Sequence, residues 1–440
     1  MKKIKLLVAA CLLVSAPAMA EESVPYNCDY SPSCEVAPGI YGAMKSPVTS
    51  KFNLSLGGYV KLDYVHNTNA VGPLSPVPGL PMTPPGQVSK DESLFTAKQS
   101  RIWFRVAGPT FMGAKTNALI EADFYGANSL SNEFGNVRMR HAYGSLDWTN
   151  TQVLFGQFWD IFTPAAADTI DFRQGGATGA PANPRVPQIR LTQKIKLGEG
   201  NGLRFVFGVQ NPVQDAAVAG DNSMSKNGSF GSVVNAAGQI MFSSNALGVS
   251  PGFMGLGMSP LQIGVFGMAG SQKFTDGPAV DVYGYGAYGF VPILKSKDGK
   301  NRAMTLSLET QAYIAAGLDV QAATAQAVVN NTTPATRSAA KGYGLYGQLK
   351  FFPTQDLGIT VGYGRRNALN YASYKNPAPA TPVAGTFEKY NEMLYGNIHY
   401  DLNAAVRVAT EYQYQRTQYS GPASNFGQNN TVRAAVYYFF

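Results

Sequence analysis

Residues Thr431–Phe440 read TVRAAVYYFF. Alternate positions Val432, Ala434, Val436, Tyr438 and Phe440 are all apolar, while the other parity begins with Arg433 and Ala435. This is the period-two signature of a β-strand with one greasy face. If that face meets lipid, the closing aromatics fall at a membrane interface, where transmembrane β-barrels carry aromatic girdles.

The first twenty residues bear on compartment. Lys2, Lys3 and Lys5 precede the apolar run LLVAACLLVSA, and Ala18-Met19-Ala20 follows as a small-residue cleavage pattern. Residues 1–20 therefore read as a secretory signal peptide, implying export across the inner membrane. Cys11 loosely resembles a lipoprotein processing site, but that reading leaves too short an apolar core. No later run of about 18 apolar residues exists to form a helical membrane span. A barrel is compatible with this, because its spans are short and only half apolar.

Composition agrees with a barrel. Aromatic residues make up 12% of the chain and charged residues only 14%, with 47 glycines. Taking the three leader lysines from the 35 basic residues leaves 32 against 27 acidic ones, a mature charge of +5. That is too small to imply a nucleic-acid partner. Cys28 and Cys34, in NCDYSPSCE, read as a short-loop disulfide of an oxidising compartment. Neither a haem-attachment motif nor a histidine-supported zinc set accompanies them, so no metal or cofactor is expected.

Residues 21–51 contain prolines and read as a periplasmic lead-in. From residue 52 to 440 the pattern is an antiparallel transmembrane β-barrel, all-β, of about sixteen strands. FNLSLGGYVKLDYVH puts Phe52, Leu54, Leu56, Val60, Leu62 and Tyr64 on one face, and Asn53, Ser55, Lys61 and Asp63 on the other. Similar alternation predicts further strands near 94–107, 114–126, 136–148, 151–159, 186–197, 201–211 and 229–243. The second half reads 258–271, 279–292, 302–316, 341–353, 357–368, 387–401, 404–418 and 430–440. Short connections such as GPTFMG, TN, GEGN, PTQD and DLN alternate with long ones at 66–93, 160–185, 317–340 and 369–386. This is the outer-membrane layout, with short periplasmic turns and long extracellular loops. The connection 244–257 is long for its side. A soluble β-sandwich also alternates, but its physics does not require long and short connections to take turns.

With the apolar faces towards lipid, the other parity lines the lumen. It carries Arg101, Arg105, Lys115, Arg138, Arg140, Arg190, Lys194, Lys196 and Arg204 against Glu121 and Asp123. Later strands add Lys350, Arg366, Arg407 and Arg433, with Glu309 and Glu411. A barrel of this size encloses water, so these charges are expected to stand in an aqueous channel. Either the wall favours small anions, or several of its cations pair with the acids and hold the wall in shape. The connection WDIFTPAAADTIDFRQGGATGAPANPR carries Asp160, Asp168, Asp171 and Arg173 beside Ile161, Phe162, Ile170 and Phe172, which need burial. It is expected to fold into the lumen as a constriction loop over about 160–185; the alternative is an ordinary external loop.

The stretches SRIWFRVAGPTFMGAKTNALIEADFYG, NVRMRHAYGSLDW and VLFGQFWDIF resemble trimeric sixteen-stranded outer-membrane porins of the DcaP-like type, and more distantly phosphate-selective porins. The recognisable similarity covers about residues 52–165. It implies a passive homotrimeric channel for small anionic solutes such as dicarboxylates, with Arg101, Arg105, Arg138 and Arg140 on its basic wall. It also implies that Phe440 serves recognition by the barrel-assembly machinery and that lipid of a Gram-negative outer membrane surrounds the barrel. DcaP-like proteins begin with a helical coiled-coil segment. Residues 21–51 have prolines and no heptads, so trimerisation is expected through the barrel walls.

Catalysis is not expected. The three histidines are His66, His141 and His399; parity places His66 at the outer end of the first strand, turns His141 outward and leaves His399 alone in the lumen. No Gly-x-Ser-x-Gly or His-Glu-x-x-His motif occurs. The glycines of VYGYGAYG need no phosphate to explain them. The remaining alternative is a non-conducting barrel, an adhesin or a sheath around a periplasmic electron-transfer partner.

Overall fold

The computed structural model describes residues 43–44, 52–69, 91–126, 135–170, 185–211, 234–272, 278–318, 328–329, 335, 338–369, 387–420 and 426–440. The expected signal peptide, Cys28 and Cys34, Asp171 and Arg173 lie outside the described residues.

Sixteen strands form the wall. They are β1 (Asn53–Asn67), β2 in two segments (Glu92–Thr96 and Arg101–Ala107), β3 (Lys115–Asp123), β4 (Arg138–Asp147), β5 (Thr151–Trp159) and β6 (Arg185–Gly198). Next come β7 (Asn201–Gln210), β8 (Asn235–Ser244), β9 (Leu261–Gln272), β10 (Val280–Leu294) and β11 (Thr305–Ala316). The last five are β12 (Lys341–Phe352), β13 (Leu357–Ala368), β14 (Phe387–Asp401), β15 (Val406–Ser420) and β16 (Phe426–Phe439). Each pairs antiparallel with its chain neighbours, and β16 pairs with β1 from Tyr59↔Phe439 to Asn67↔Thr431. The sheet is thus a closed barrel without a free edge. At the seam Phe440 N donates to Gly58 O at 3.1 Å, and Gly58 N donates to Phe440 O at 3.0 Å.

The pleat sorts side chains as alternation predicts. Outward, Val60, Leu62, Ile120, Phe207, Ile263, Val361 and Val436 are about half exposed, an apolar surface that only lipid or another apolar wall would cover. Inward, Lys61, Asp63, Glu411, Gln413 and Arg433 are buried. The break in β2 turns Lys98 and Gln99 towards the interior, where Gln99 Oε1 accepts a hydrogen bond from Lys61 Nζ.

Two features depart from simple alternation. A β-bulge between β3 and β4 sets Glu121 opposite His141 and Ala122 opposite Met139, leaving Arg140 as the extra residue. His141 is therefore buried inside the barrel against Phe158 and Trp159, and the outward placement expected from parity is corrected. The second feature is the long connection after β8. A 3-10 turn at Asn245–Leu247 precedes a small ladder of Ser250–Pro251 with Met258–Ser259, whose two strands are joined through a second 3-10 turn at Phe253–Gly255. Met254 and Pro251 are buried, and Ser307 Oγ on β11 donates to Pro251 O at 3.4 Å, so this turn folds back into the barrel.

Candidate pore and constriction

The segment after β5 crosses the lumen as a strap. Its near end is held by amides: Ile161 N donates to Gln210 Oε1 at 2.9 Å, and Gln239 Nε2 donates to Ile161 O at 2.6 Å. Midway, Asp168 N donates to Gln348 Oε1 at 2.9 Å, and Asn397 Nδ2 donates to Asp168 O at 2.6 Å. On the far side Ile170 N donates to Glu411 Oε2 at 2.7 Å, while Lys61 Nζ donates to Ile170 O at 2.7 Å. These anchors lie on β7, β8, β12, β14, β15 and β1, so the strap reaches from one wall to the other. An irregular backbone buried at this depth needs such partners for its polar groups.

Apolar side chains add the rest. Phe162 is fully buried and packs edge-to-face on Phe266, centroids 5.2 Å apart. A Cβ on Gly284 would lie 2.6 Å from Phe162 Cζ, and one on Gly286 would lie 2.4 Å from Phe266 Cζ. Two inward positions of the VYGYGAYG strand are thus bare because rings occupy that space. Ala167 packs with Tyr346, Met393 and Tyr395, and Ile170 with Tyr59, Tyr437 and Phe439.

The strap also meets the inward-folded turn. Met254 N donates to Asp168 Oδ2 at 2.8 Å, and Lys350 Nζ stands 3.7 Å from the same oxygen and 2.6 Å from Glu309 Oε2. Asp168 lies in a lumenal segment rather than a spanning strand. Its carboxyl is pushed up to about 6: burial dominates, Lys350 opposes it and Glu309 adds to it.

Across the lumen, β2 to β4 carry a compact charge network. Arg140 Nε reaches Glu121 Oε1 at 2.5 Å and Arg140 Nη1 reaches Asp123 Oδ2 at 3.1 Å. Arg138 binds both oxygens of Asp123, at 2.8 and 2.5 Å, and Arg101 Nη1 lies 4.0 Å from Glu121. The inward charges that keep solvent contact lie mostly elsewhere: Arg105, Lys115, Lys194 and Lys196 are exposed, and Arg190 and Arg204 half-buried. On β8 to β16 the inward Glu309, Lys350, Arg366, Arg407, Glu411 and Arg433 are all buried.

Among solved structures, the chain is similar to the outer membrane channel DcaP of Acinetobacter baumannii, with a TM-score of 0.68 and 18% identity over 91% of this chain and 100% of that one. It is also similar to the anion-selective porin from Comamonas acidovorans, with a TM-score of 0.53 and 10% identity over 88% of this chain and 100% of that one. No protein-family profile and no curated protein matches. The fold is that of a sixteen-stranded outer-membrane porin.

Within this porin fold, the sequence-derived wall divides in two. Arg101, Arg140, Glu121 and Asp123 are buried in the paired network, and Arg138 keeps 29% of its side chain exposed. The expectation that these charges stand in water is corrected for the first four. Arg105, Lys115 and Lys194 are exposed at inward positions. Asp160 and Asp168 are both buried in the strap, where Asp160 Oδ1 accepts from Thr163 N at 3.1 Å. His66 lies at the outer end of β1 against Ser93 Oγ at 2.8 Å, and His399 is buried beside Phe352. Sequence reasoning missed the strap anchors Gln210, Gln239, Gln348 and Asn397. Their signal was amides at inward parity, where a water-filled lumen needs none.

Proposed function

We propose that this protein is a passive outer-membrane diffusion channel for small hydrophilic solutes, with a preference for anions such as dicarboxylates or phosphate-like ions. The observation that carries the reading is one-sided. On β2 to β7 the inward charges left in contact with solvent are Arg105, Lys115, Arg138, Arg190, Lys194, Lys196 and Arg204, against Glu92 and Asp147. A unit charge about 5 Å from a passing anion contributes roughly 1 to 3 kcal/mol for effective dielectrics of 80 to 20. Salt screens anything beyond about 8 Å, so each of these charges acts on an ion that passes close to it.

The test is single-channel recording of the purified protein in a planar bilayer across a salt gradient. The expected result is an anion-signed reversal potential that moves towards zero when Arg105, Lys115, Lys194 and Lys196 are replaced by Gln. A cation-signed or unchanged potential overturns the preference. In this reading the barrel is exported through a cleaved signal peptide, assembles through a signal that includes Phe440, and forms a homotrimer through its outer walls.

A second reading has the Asp168–Met254 contact behind it. A barrel bridged from both ends serves as an adhesin or as a sheath around a periplasmic electron-transfer partner. Barrels that insert normally yet pass no current would favour it.

A further inference from the structure

The outward faces of β13 to β16 form rows of directly opposed residues. Near the short-turn end, Leu357, Tyr400, Val408 and Val436 make one row. Nearer the long-loop end, Tyr363, Leu394, Tyr414 and Asn430 make another, with Tyr412 just beneath. The next row up is different in kind: Arg365, Glu392, Arg416 and Gln428.

Along β15, Arg416 stands ten residues beyond Val406. At about 3.4 Å per residue and a tilt of about 40°, that is roughly 26 Å along the barrel axis. The apolar band of a transmembrane barrel is about 25 Å tall. The two arginines therefore sit directly above the aromatic girdle, at the level of lipid headgroups.

Their own partners leave only part of each guanidinium open to solvent, since Arg365 Nη2 also donates to Asn367 Oδ1 at 3.2 Å. Glu392 lies 3.7 Å from Arg365 Nη1 and 4.0 Å from Arg416 Nη1, while its short contact is the 2.8 Å hydrogen bond from Tyr363 OH. Arg365 and Arg416 each keep 33% of their side chains exposed. Each guanidinium lies over a ring, Arg365 Cζ 3.9 Å from the centroid of Tyr390 and Arg416 Cζ 4.6 Å from that of Phe426, which restricts both side chains while their Nε atoms stay buried. Two pre-oriented guanidinium groups around one carboxylate carry a net charge of +1. Planar donor forks of this kind match phosphate oxygens in bidentate fashion.

We propose that the Arg365–Glu392–Arg416 row binds a phosphate of the glycolipid that forms the outer leaflet, with that lipid's acyl chains lying over Leu394 and Val361 below. Depth selects this occupant, because the row continues a lipid-facing apolar surface without a break. The inference rests on the barrel spanning the outer membrane, not on its conducting solutes.

The test measures lipid retained by the detergent-solubilised full chain by native mass spectrometry, using diphosphorylated lipid A, its dephosphorylated form, and inorganic phosphate as competitor. Wild type is expected to retain the phosphorylated lipid at least tenfold better than the dephosphorylated one. R365Q/R416Q should lose that difference while keeping the heat-modifiable migration of a folded barrel. E392Q, which removes the competing carboxylate, should retain the phosphorylated lipid more tightly. Equal retention of the two lipids, displacement by millimolar inorganic phosphate alone, or unchanged or weaker retention by E392Q overturns the proposal. So does loss of oligomer with retention intact in the double variant, which would make the row a contact between copies. If the double variant fails to fold, E392Q decides.

Discussion

Asp168 and Met254 are 86 residues apart, and they enter the barrel from opposite ends. The Met254 backbone N–H donates to Asp168 Oδ2 at 2.8 Å, joining the strap after β5 to the inward turn after β8. Arg407 Nη1 steadies the same turn from the wall, 3.4 Å from Met254 O. One carboxylate oxygen therefore sets how firmly two independent obstructions hold together.

Asp168→Ala removes that acceptor and strands a buried N–H. A hydrogen bond to a charged group is worth about 1.5–3 kcal/mol, so the ratio of open to closed channel should rise roughly tenfold to a hundredfold. Single-channel dwell times measure it; unchanged dwell times would mean that the contact does not gate.

The same group predicts a pH dependence. Its carboxyl titrates at about 6 in the folded strap, above the roughly 4 of an unfolded chain. A raised pKa favours the closed strap fully below about pH 4 and loses that contribution as pH rises through about 6. Conductance should therefore be lower at pH 4.5 than at pH 7.5. Asp168→Asn, which keeps an acceptor oxygen without the charge, should hold the low-pH behaviour throughout.

Phe162→Ala tests the apolar half of the strap. Deleting a buried ring typically costs about 3–5 kcal/mol, and here the loss falls on the strap rather than on the ladder of wall hydrogen bonds. Protease sensitivity within 160–170 should increase while the barrel keeps its heat-modifiable migration. Loss of that migration would place Phe162 in the barrel's own stability.

Arg140 and Arg105 are both inward-side arginines with opposite expected behaviour. Arg140→Ala leaves Glu121 buried without its shortest partner, and breaking such a pair costs about 3–5 kcal/mol. Reduced thermal stability is the expected result. Arg105→Gln, at an exposed position, should leave stability unchanged and shift only the reversal potential.

Removing Phe440 deletes two backbone hydrogen bonds at the seam with Gly58. Less folded protein should reach the outer membrane, as counted on membrane fractions. Normal assembly without Phe440 would exclude it as part of the assembly signal.

Much of the wall was legible because each strand carries its own parity: Val432 to Phe440 already separates lipid from lumen. The 3-4 bulge was not, since an extra residue at Arg140 reverses parity without changing composition, and it carried His141 inside. The turn after β8 showed only as excess length. That it folds inward depends on Asp168, Lys350 and Arg407, which are distant in sequence. The buried pairing of Glu121 with Arg140 was visible as a possibility, because like parity on neighbouring strands makes contact available but does not say which cation takes it.

The seam between β1 and β16 has a kinetic consequence. Its partners are separated by more than 360 positions, as Asn67 and Thr431 illustrate. Loop-closure entropy must be met before any of those bonds forms, and contacts of such separation slow folding. Until β16 arrives, β1 presents an unpaired edge able to recruit a strand from any other chain. Formation of this barrel is thus a race between ring closure and intermolecular pairing. Escorting the unfolded chain to its membrane is therefore as decisive for yield as the stability of the finished ring.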